Sequence, residues 1–150
     1  MPQSLSRLLS HLIFSTKNRD PWITPAVRDE LHSYLGGVLK NIDCTPIRMG
    51  GVADHVHLFF GMTRTLSVAQ VVEKVKVASS KWIKEKGPEF SAFHWQNGYG
   101  IFSVSQSEAD KVENYVATQE EHHRVTTFQE EYRKFLERHR IEYDERYVWD

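Results

Sequence analysis

Hydrophobic residues recur along the chain in two spacings. Alternation predicts strands, and recurrence every three or four residues predicts helices. Ser10–Ser15 is a short apolar strand candidate followed by a polar, turn-prone stretch. Thr24 with Pro25 next to it predicts a helix start, and the pattern continues to about Lys40. The apolar positions of this helix recur at intervals of three and four: Val27, Leu31, Tyr34, Leu35 and Val38.

After this helix, the sequence predicts two strands that form a hairpin, a second helix and a further strand. Thr45–Val52 and His55–Gly61 are strand candidates joined by a short turn, which predicts an antiparallel pair. Ser67 begins a second long helix that extends to about Glu85. Tyr99–Ser105 alternates between apolar and polar residues, as a fourth strand would.

Two further helices are predicted after the fourth strand. Ser107 and Asp110 resemble a capping box that begins a helix reaching about His123, and another helix runs from about Thr127 to His139. The closing segment, Ile141–Trp149, has no clear periodicity. The order βαββαβ, then helices, predicts an α+β protein with a ferredoxin-like antiparallel sheet, also used by RNA-recognition domains. One sheet face is then left for a ligand or for the added helices.

Composition narrows the class of protein without identifying it. Hydrophobic residues make up 40% and charged residues 26% of the 150 residues, which is typical of a globular chain, and no repeat or linker divides it. We expect a single domain, 1–150. There is no secretory signal, no apolar run of the roughly 20 residues that cross a bilayer, and a single cysteine, Cys44, so we expect a cytoplasmic protein without a membrane span.

The charge is distributed unevenly along the chain. The net charge is −1, but residues 1–105 carry 12 Lys or Arg against 8 Asp or Glu, whereas residues 106–150 carry 7 against 12. The mildly basic body permits a phosphate-binding surface but does not require one. Electrostatics alone therefore does not assign a nucleic-acid partner.

The run from His55 to Phe60 carries the most specific chemical information. Alternate side chains of a strand share a face, so His55 and His57 project together, roughly 7 Å apart at the backbone, while Val56 points into the core. Their imidazoles can converge on one metal ion. The alternative is a pair of exposed histidines on a half-polar strand. Two imidazoles do not complete a site for divalent metals used in phosphate chemistry, which also need oxygen ligands or water.

The third helix contains a second candidate group. Tyr115 and Gln119 are four residues apart, so their side chains lie one turn apart on the same helix face. On this spacing alone, a tyrosine such as Tyr115 is more often a half-buried packing residue than a nucleophile. The sequence has six tyrosines, and periodicity cannot select a nucleophile among them.

A resemblance along nearly the whole chain makes that selection. The matching blocks are HLIFSTKNRDPWI from His11, GGVADHVHLFF from Gly50, WQNGYGIFSVSQSEADKVENYVATQEEHH from Trp95, FQEEYRKFL from Phe128 and IEYDERYVW from Ile141. In this order they resemble the single-tyrosine transposases of the HUH superfamily, the enzymes of insertion sequences that move as single strands. REP-associated tyrosine transposases are close relatives. HUH denotes two histidines around one hydrophobic residue, here His55, Val56 and His57.

The resemblance implies a mechanism and assigns roles to residues. Tyr115 would be the nucleophile, with His55, His57 and Gln119 binding Mg²⁺ or Mn²⁺. Attack on a DNA phosphate would leave a 5′-phosphotyrosine and a free 3′-hydroxyl, and a second 3′-hydroxyl could reverse the step without ATP. The family also implies single-stranded DNA ends folded into hairpins as substrate. It further implies a homodimer that pairs the histidines of one subunit with the tyrosine helix of the other.

The residues that contact DNA are less well defined by the sequence. Lys17 and Arg19, after the first strand, and Lys76 and Lys81, on the second helix, are candidate phosphate partners. A solvated helix face explains each of them equally well. His122 and His123 either line the site or are ordinary residues near a helix end.

Other classes of protein account for part of the pattern. A non-catalytic single-strand-binding module with an RNA-recognition-like sheet explains the fold but not the paired histidines. A histidine-triad hydrolase would need a third histidine where the chain has Phe59. An HUH relaxase or replication initiator shares the chemistry, although such proteins are generally longer.

Overall fold

The computed structural model describes residues 2–150. Four antiparallel strands form one sheet in the order β2-β3-β1-β4. The strands are β1 Leu9–Ser15, β2 Thr45–Val52, β3 His55–Gly61 and β4 Gly100–Val104. The helices are α1 Pro25–Asn41, α2 Val68–Lys84, α3 Ala109–Ala117, α4 Gln119–His122 and α5 Phe128–Arg138. The predicted ferredoxin-like α+β architecture is confirmed.

Helices α1 and α2 cover one face of the sheet. Their apolar faces, which include Leu31, Leu35 and Val75, pack on Val56, Leu58 and Phe60 of β3 and on Leu12 and Phe14 of β1. The helix starts follow the sequence signals, since Pro25 lies in the first turn of α1 and Ser67 and Gln70 form a capping box at α2.

The opposite face of the sheet is covered by the C-terminal helices. Val116 of α3 packs with Phe59 and Leu9, and α5 packs on Ile13 and Phe102 through a buried apolar stripe. The sequence left open whether this face binds a ligand or carries the added helices. In the structure, the added helices cover it. Buried groups on this face lie between the sheet and α3–α5.

The third predicted helix differs from the structure in two respects. The capping box predicted at Ser107 and Asp110 is wrong, because Ser107 pairs with the Ser105 hydroxyl and a short 3₁₀ turn precedes α3. The helix predicted to reach His123 is also interrupted at Thr118, whose φ is −107° and ψ 29°. The side-chain amide of Gln119 donates to the Tyr115 carbonyl, which satisfies this acceptor at the break.

Among residues 2–150, no helix combines the length and the hydropathy required to cross a membrane.

Gly50 sets how closely α3 approaches the sheet. A Cβ atom at this position would lie 1.9 Å from the Val116 carbonyl oxygen, a backbone atom that cannot rotate away. We expect Gly50→Ala to lower the free energy of unfolding by about 2 kcal/mol and the melting temperature by roughly 2 to 4 °C per kcal/mol. Thermal unfolding followed by circular dichroism measures both.

Gly37→Ala is the matched control. Gly37 lies in α1 with nothing near its Cβ position, so alanine should stabilise the helix by up to about 1 kcal/mol. Equal melting temperatures for Gly50→Ala and the wild type would contradict the close packing of α3 on β2.

Candidate active site

His55 and His57 lie side by side on β3, between the sheet and the C-terminal helices. Both side chains are fully buried, and their ring centroids are 5.1 Å apart. Val56 and Leu58 point to the other face, into the core formed with α1 and α2. The alternation of the strand thus brings the two imidazoles together, and neither is the exposed surface histidine of the alternative interpretation.

In each imidazole, one ring nitrogen, Nδ1, is hydrogen-bonded to a neighbouring side chain. Nδ1 of His55 is 2.7 Å from Oδ1 of Asp54, and Nδ1 of His57 is 2.7 Å from Nε2 of His11. The Nε2 atoms of His55 and His57 therefore both face inward, at 3.5 and 3.0 Å from Oε1 of Glu131. Metal-binding histidines in proteins are usually oriented in this way, with the second nitrogen fixed by a hydrogen bond.

A cluster that could hold a metal ion consists of His55, His57, His123 and Glu131. One donor atom from each residue lies within 4.8 Å of all the others. Oε1 of Gln119 borders the group, 3.4 Å from Nε2 of His55 and 3.0 Å from Nε2 of His123. Carboxylate and amide oxygens are the ligands that Mg²⁺ and Mn²⁺ prefer, and imidazole nitrogens can complete a site for a divalent cation, so the residues present fit the implied metal.

Burial and mutual hydrogen bonding shift the protonation equilibria of the cluster. Burial lowers the pKa of His57 to about 4, which keeps this imidazole neutral, the form that binds metals. For His55, burial is outweighed by hydrogen bonds to Asp54 and Glu131, and the pKa is raised. Burial would raise the pKa of Glu131, but hydrogen bonds from His123, His55 and His57 lower it, so this carboxyl is ionised.

Tyr115 of α3 reaches the same cluster. Its hydroxyl donates a hydrogen bond to Oε2 of Glu131, and its ring centroid is 5.9 Å from that of His57. Burial and the negative charge of Glu131 raise the pKa of the phenol, which is therefore protonated in this arrangement. Within this chain, Tyr115 therefore lies beside both His57 and Glu131.

A cleft of about 400 Å³ connects Tyr115 to the surface. His122 lines it with its ring 4.5 Å from that of Tyr115. Three basic side chains also line the cleft: Lys111, Lys134 and Arg138. Glu108 and Glu131 line the cleft as well, and Glu108 pairs with Lys111. Lys134 and Arg138 are therefore the cations best suited to binding an anionic polymer near the Tyr115 hydroxyl.

The four predicted DNA-contact residues have different environments. Lys17 and Lys81 are exposed, and Arg19 lines a shallow pocket with Asp54 and His123 while its guanidinium lies 5.8 Å from the Trp149 ring. The ammonium of Lys76 donates to three backbone carbonyls in residues 96–98, at 2.7, 3.2 and 2.6 Å. All three of its donors are thereby used within the protein, so Lys76 fixes this loop rather than offering a donor to a phosphate.

Sequence reasoning did not identify His11 or Glu131 as part of the site. His11 lies in a buried strand that pairs with β3, but the register that places it beside His57 is not visible in the sequence. Glu131 did carry a signal, because it is the one charged member of the buried stripe on α5, the other members being Phe128, Tyr132 and Leu136. A carboxylate at such a position is rarely buried without a partner.

Comparison with known proteins identifies the class of protein. Residues 4–119 match the family described as Transposase IS200 like. A relative, the ISDra2 transposase TnpA of Deinococcus radiodurans, is 25% identical over 114 residues, which cover 73% of this chain and 81% of that protein. The protein is a transposase. It belongs to the IS200-like family of single-tyrosine HUH transposases.

Two solved structures have the same fold. A candidate transposase from Deinococcus radiodurans aligns with a TM-score of 0.62 at 23% identity, over 77% of this chain and 95% of that one. A REP-associated tyrosine transposase bound to a REP hairpin aligns with a TM-score of 0.53 at 10% identity, over 77% of this chain and 70% of that one.

Proposed function

We propose that this transposase cleaves and rejoins single-stranded DNA at hairpin-bearing element ends through a 5′-phosphotyrosine formed on Tyr115. The observation that carries the proposal is the contact of the Tyr115 hydroxyl with Glu131, whose other oxygen lies against the His55 and His57 imidazoles. A hydroxyl nucleophile beside a group that can hold a divalent cation is the arrangement that phosphoryl transfer requires.

His55, His57 and Gln119 are the proposed metal ligands, with Mg²⁺ or Mn²⁺ as the ion. The bound ion would withdraw charge from the phosphorus and stabilise the additional negative charge of the transition state. Asp54 and His11 orient the two imidazoles, and the break after α3 directs the Gln119 oxygen toward His55. Burial of the cluster by α3–α5 limits the access of water to the cluster.

Tyr115 supplies the attacking oxygen. Its Oη would lose the phenolic proton to water and form a bond to phosphorus as the bond from phosphorus to the 3′-oxygen breaks. The 3′-oxygen takes up a proton from water and leaves as a hydroxyl. The phosphotyrosine ester retains the energy of the broken bond, so a second 3′-hydroxyl can restore the tyrosine and join new ends. The fold neighbour solved with a REP hairpin supports hairpin DNA as the substrate class.

The oligomeric state and the compartment remain predictions. We expect a homodimer, as the family implies, and a single HUH domain, 1–150, that acts in the cytoplasm. The contact between Tyr115 and Glu131 within one chain favours a site in which each subunit uses its own tyrosine. A non-catalytic binding module and a relaxase are disfavoured, because the sheet face of the former is covered by helices and the family match is to transposases.

Incubation with single-stranded DNA carrying a hairpin tests the proposal. With Mg²⁺ or Mn²⁺, denaturing gels should resolve a cleaved strand and a covalent protein–DNA band, and EDTA should remove both. Absence of cleavage with every hairpin end taken from the DNA that flanks the gene would contradict it.

The cleft beside Tyr115 leads to a prediction about DNA binding. Lys134 and Arg138 are exposed residues of α5 that line this cleft, so we expect each to contact a phosphate of the bound strand. Replacing both by alanine should weaken binding and reduce the salt dependence of the affinity by about 0.7 in log–log slope for each lost contact. Fluorescence anisotropy at several salt concentrations measures the slope.

Lys40→Ala is the control for this experiment. Lys40 is equally exposed but lies at the end of α1, in the helical layer on the other side of the sheet. The predicted contacts Lys17, Arg19 and Lys81 can be tested in the same assay. An unchanged salt-dependence slope in the Lys134 and Arg138 double variant would show that the bound DNA does not contact this cleft.

A further inference from the structure

The carboxylate of Glu131 has two different neighbourhoods. Oε1 lies 3.0 Å from Nε2 of His57, 3.3 Å from Nε2 of His123 and 3.5 Å from Nε2 of His55. Oε2 accepts the hydrogen bond of the Tyr115 hydroxyl. One carboxylate therefore links the group that could hold a metal with the proposed nucleophile.

The helix that carries Glu131 is firmly held. Phe128, Tyr132 and Leu136 anchor α5 in the core beneath it, and the Thr127 hydroxyl caps the helix by accepting from the Glu130 amide. The Glu131 side chain is only 3% exposed. A carboxylate buried this deeply must be stabilised by hydrogen bonds or by a cation.

The oxygen requirement of the ion gives Glu131 a specific part in the site. Mg²⁺ and Mn²⁺ favour oxygen ligands, whereas His55 and His57 offer nitrogen only. The side-chain oxygens within 3.5 Å of the Nε2 atoms of these two histidines belong to Gln119 and Glu131, and of the two only Glu131 carries a negative charge. The matched family segment ends at residue 119, so this charge comes from a part of the chain beyond the match.

We propose that Glu131 bridges the metal and the nucleophile, binding the ion through Oε1 and positioning the Tyr115 hydroxyl through Oε2. The proposal rests on the function proposed above. Its consequence is that one buried, multiply hydrogen-bonded side chain sets the separation between the ion and the attacking oxygen, as a near-attack arrangement requires. Glu131 is thus a metal ligand and, for Tyr115, a positioning residue.

Binding of Mn²⁺ to the DNA-free protein tests the first half of the proposal. Glu131→Gln keeps the size of the side chain and removes its charge, and it should weaken Mn²⁺ binding by about 10- to 100-fold, as measured by titration calorimetry and the electron paramagnetic resonance of free Mn²⁺. Glu131→Asp retains the charge but shortens the side chain, so its Mn²⁺ affinity should lie between those of Glu131→Gln and the wild type. Glu130→Gln, its exposed neighbour, should bind as the wild type does.

The Tyr115 phenol provides a second readout that does not depend on activity. With ¹³C-labelled tyrosine, the Cζ resonance of Tyr115, assigned by its loss in Tyr115→Phe, should move in Glu131→Gln while the other tyrosine resonances stay in place. Wild-type melting behaviour and retained resonances for the other tyrosines establish that the variant is folded. In cleavage, Glu131→Gln should lower kcat more than it raises KM.

The outcomes separate this proposal from the one on which it rests. Unchanged Mn²⁺ affinity in Glu131→Gln, with the wild type binding the ion, would overturn the bridge and leave the histidine site intact. Tighter Mn²⁺ binding or faster cleavage would also overturn it, because Glu131 would then occupy the place of the ion. A wild-type protein that binds no Mn²⁺ would instead refute the metal site itself.

Discussion

Tyr115→Phe is expected to abolish strand cleavage and the covalent protein–DNA adduct while leaving DNA binding nearly intact. The substitution removes a single oxygen, the atom proposed to attack phosphorus, and keeps the ring that packs near His57 and His122. Without that oxygen, no ester to the protein can form at this position. Denaturing gels with labelled hairpin DNA measure cleavage and the adduct, and anisotropy measures binding.

Tyr147→Phe is the matched control for Tyr115→Phe. Tyr147 is 64% exposed in the C-terminal segment, so loss of its hydroxyl should change neither measurement. A covalent band that survives in Tyr115→Phe would move the nucleophile to another residue. Loss of DNA binding together with cleavage would show that the substitution acts through the structure instead.

His57→Ala is expected to have the second largest effect. The imidazole is fully buried, and removing it takes away a proposed metal ligand, leaves His11 without this hydrogen-bond partner and removes one of the contacts of Glu131. Stabilisation of transition-state charge by a metal contributes several kcal/mol, so cleavage should fall by about 10³-fold or more. Single-turnover cleavage rates over a range of Mn²⁺ concentrations measure the loss.

His94→Ala separates loss of the metal ligand from removal of any histidine. His94 is exposed and lies outside the cluster, so its replacement should leave the metal dependence unchanged. His55→Ala should behave like His57→Ala, since its Nε2 faces the same point. Undiminished Mn²⁺-stimulated cleavage in either variant would overturn the assigned ligands.

The part of the site on β3 followed from the sequence because a strand has a fixed period of two. Once His55–Gly61 was predicted as a strand, His55 and His57 had to share a face. The hydrophobic residues between and after them indicated which face was the core, and this expectation is confirmed by the packing of Val56 and Leu58.

Tyr115 could not be selected in this way. Helical spacing puts Tyr115 and Gln119 on one face but does not say which of the tyrosines meets the histidines. That meeting depends on how α3 packs on β2, which Gly50 allows by leaving room for the Val116 carbonyl. The choice came from family resemblance, and the structure supplies the contact.

The sequence did not predict Glu131 and His11 as site residues, for a different reason. They reach the site from α5 and β1, at 74 and 46 residues from His57 along the chain. Such contacts depend on strand register and on which face of the sheet a helix covers, and neither is encoded in a local pattern. The acidic residue in the apolar stripe of α5 was the only local sign of a buried partner.

Mapping the covalent adduct identifies the residue that attacks the DNA. The wild-type protein would be incubated with hairpin-bearing single-stranded DNA and Mn²⁺, digested with nuclease and protease, and sequenced by mass spectrometry. We expect a nucleotide attached through its 5′-phosphate to the peptide that contains Tyr115. A nucleotide on any other residue, or cleaved DNA with no protein attached at any time during the reaction, would contradict this expectation.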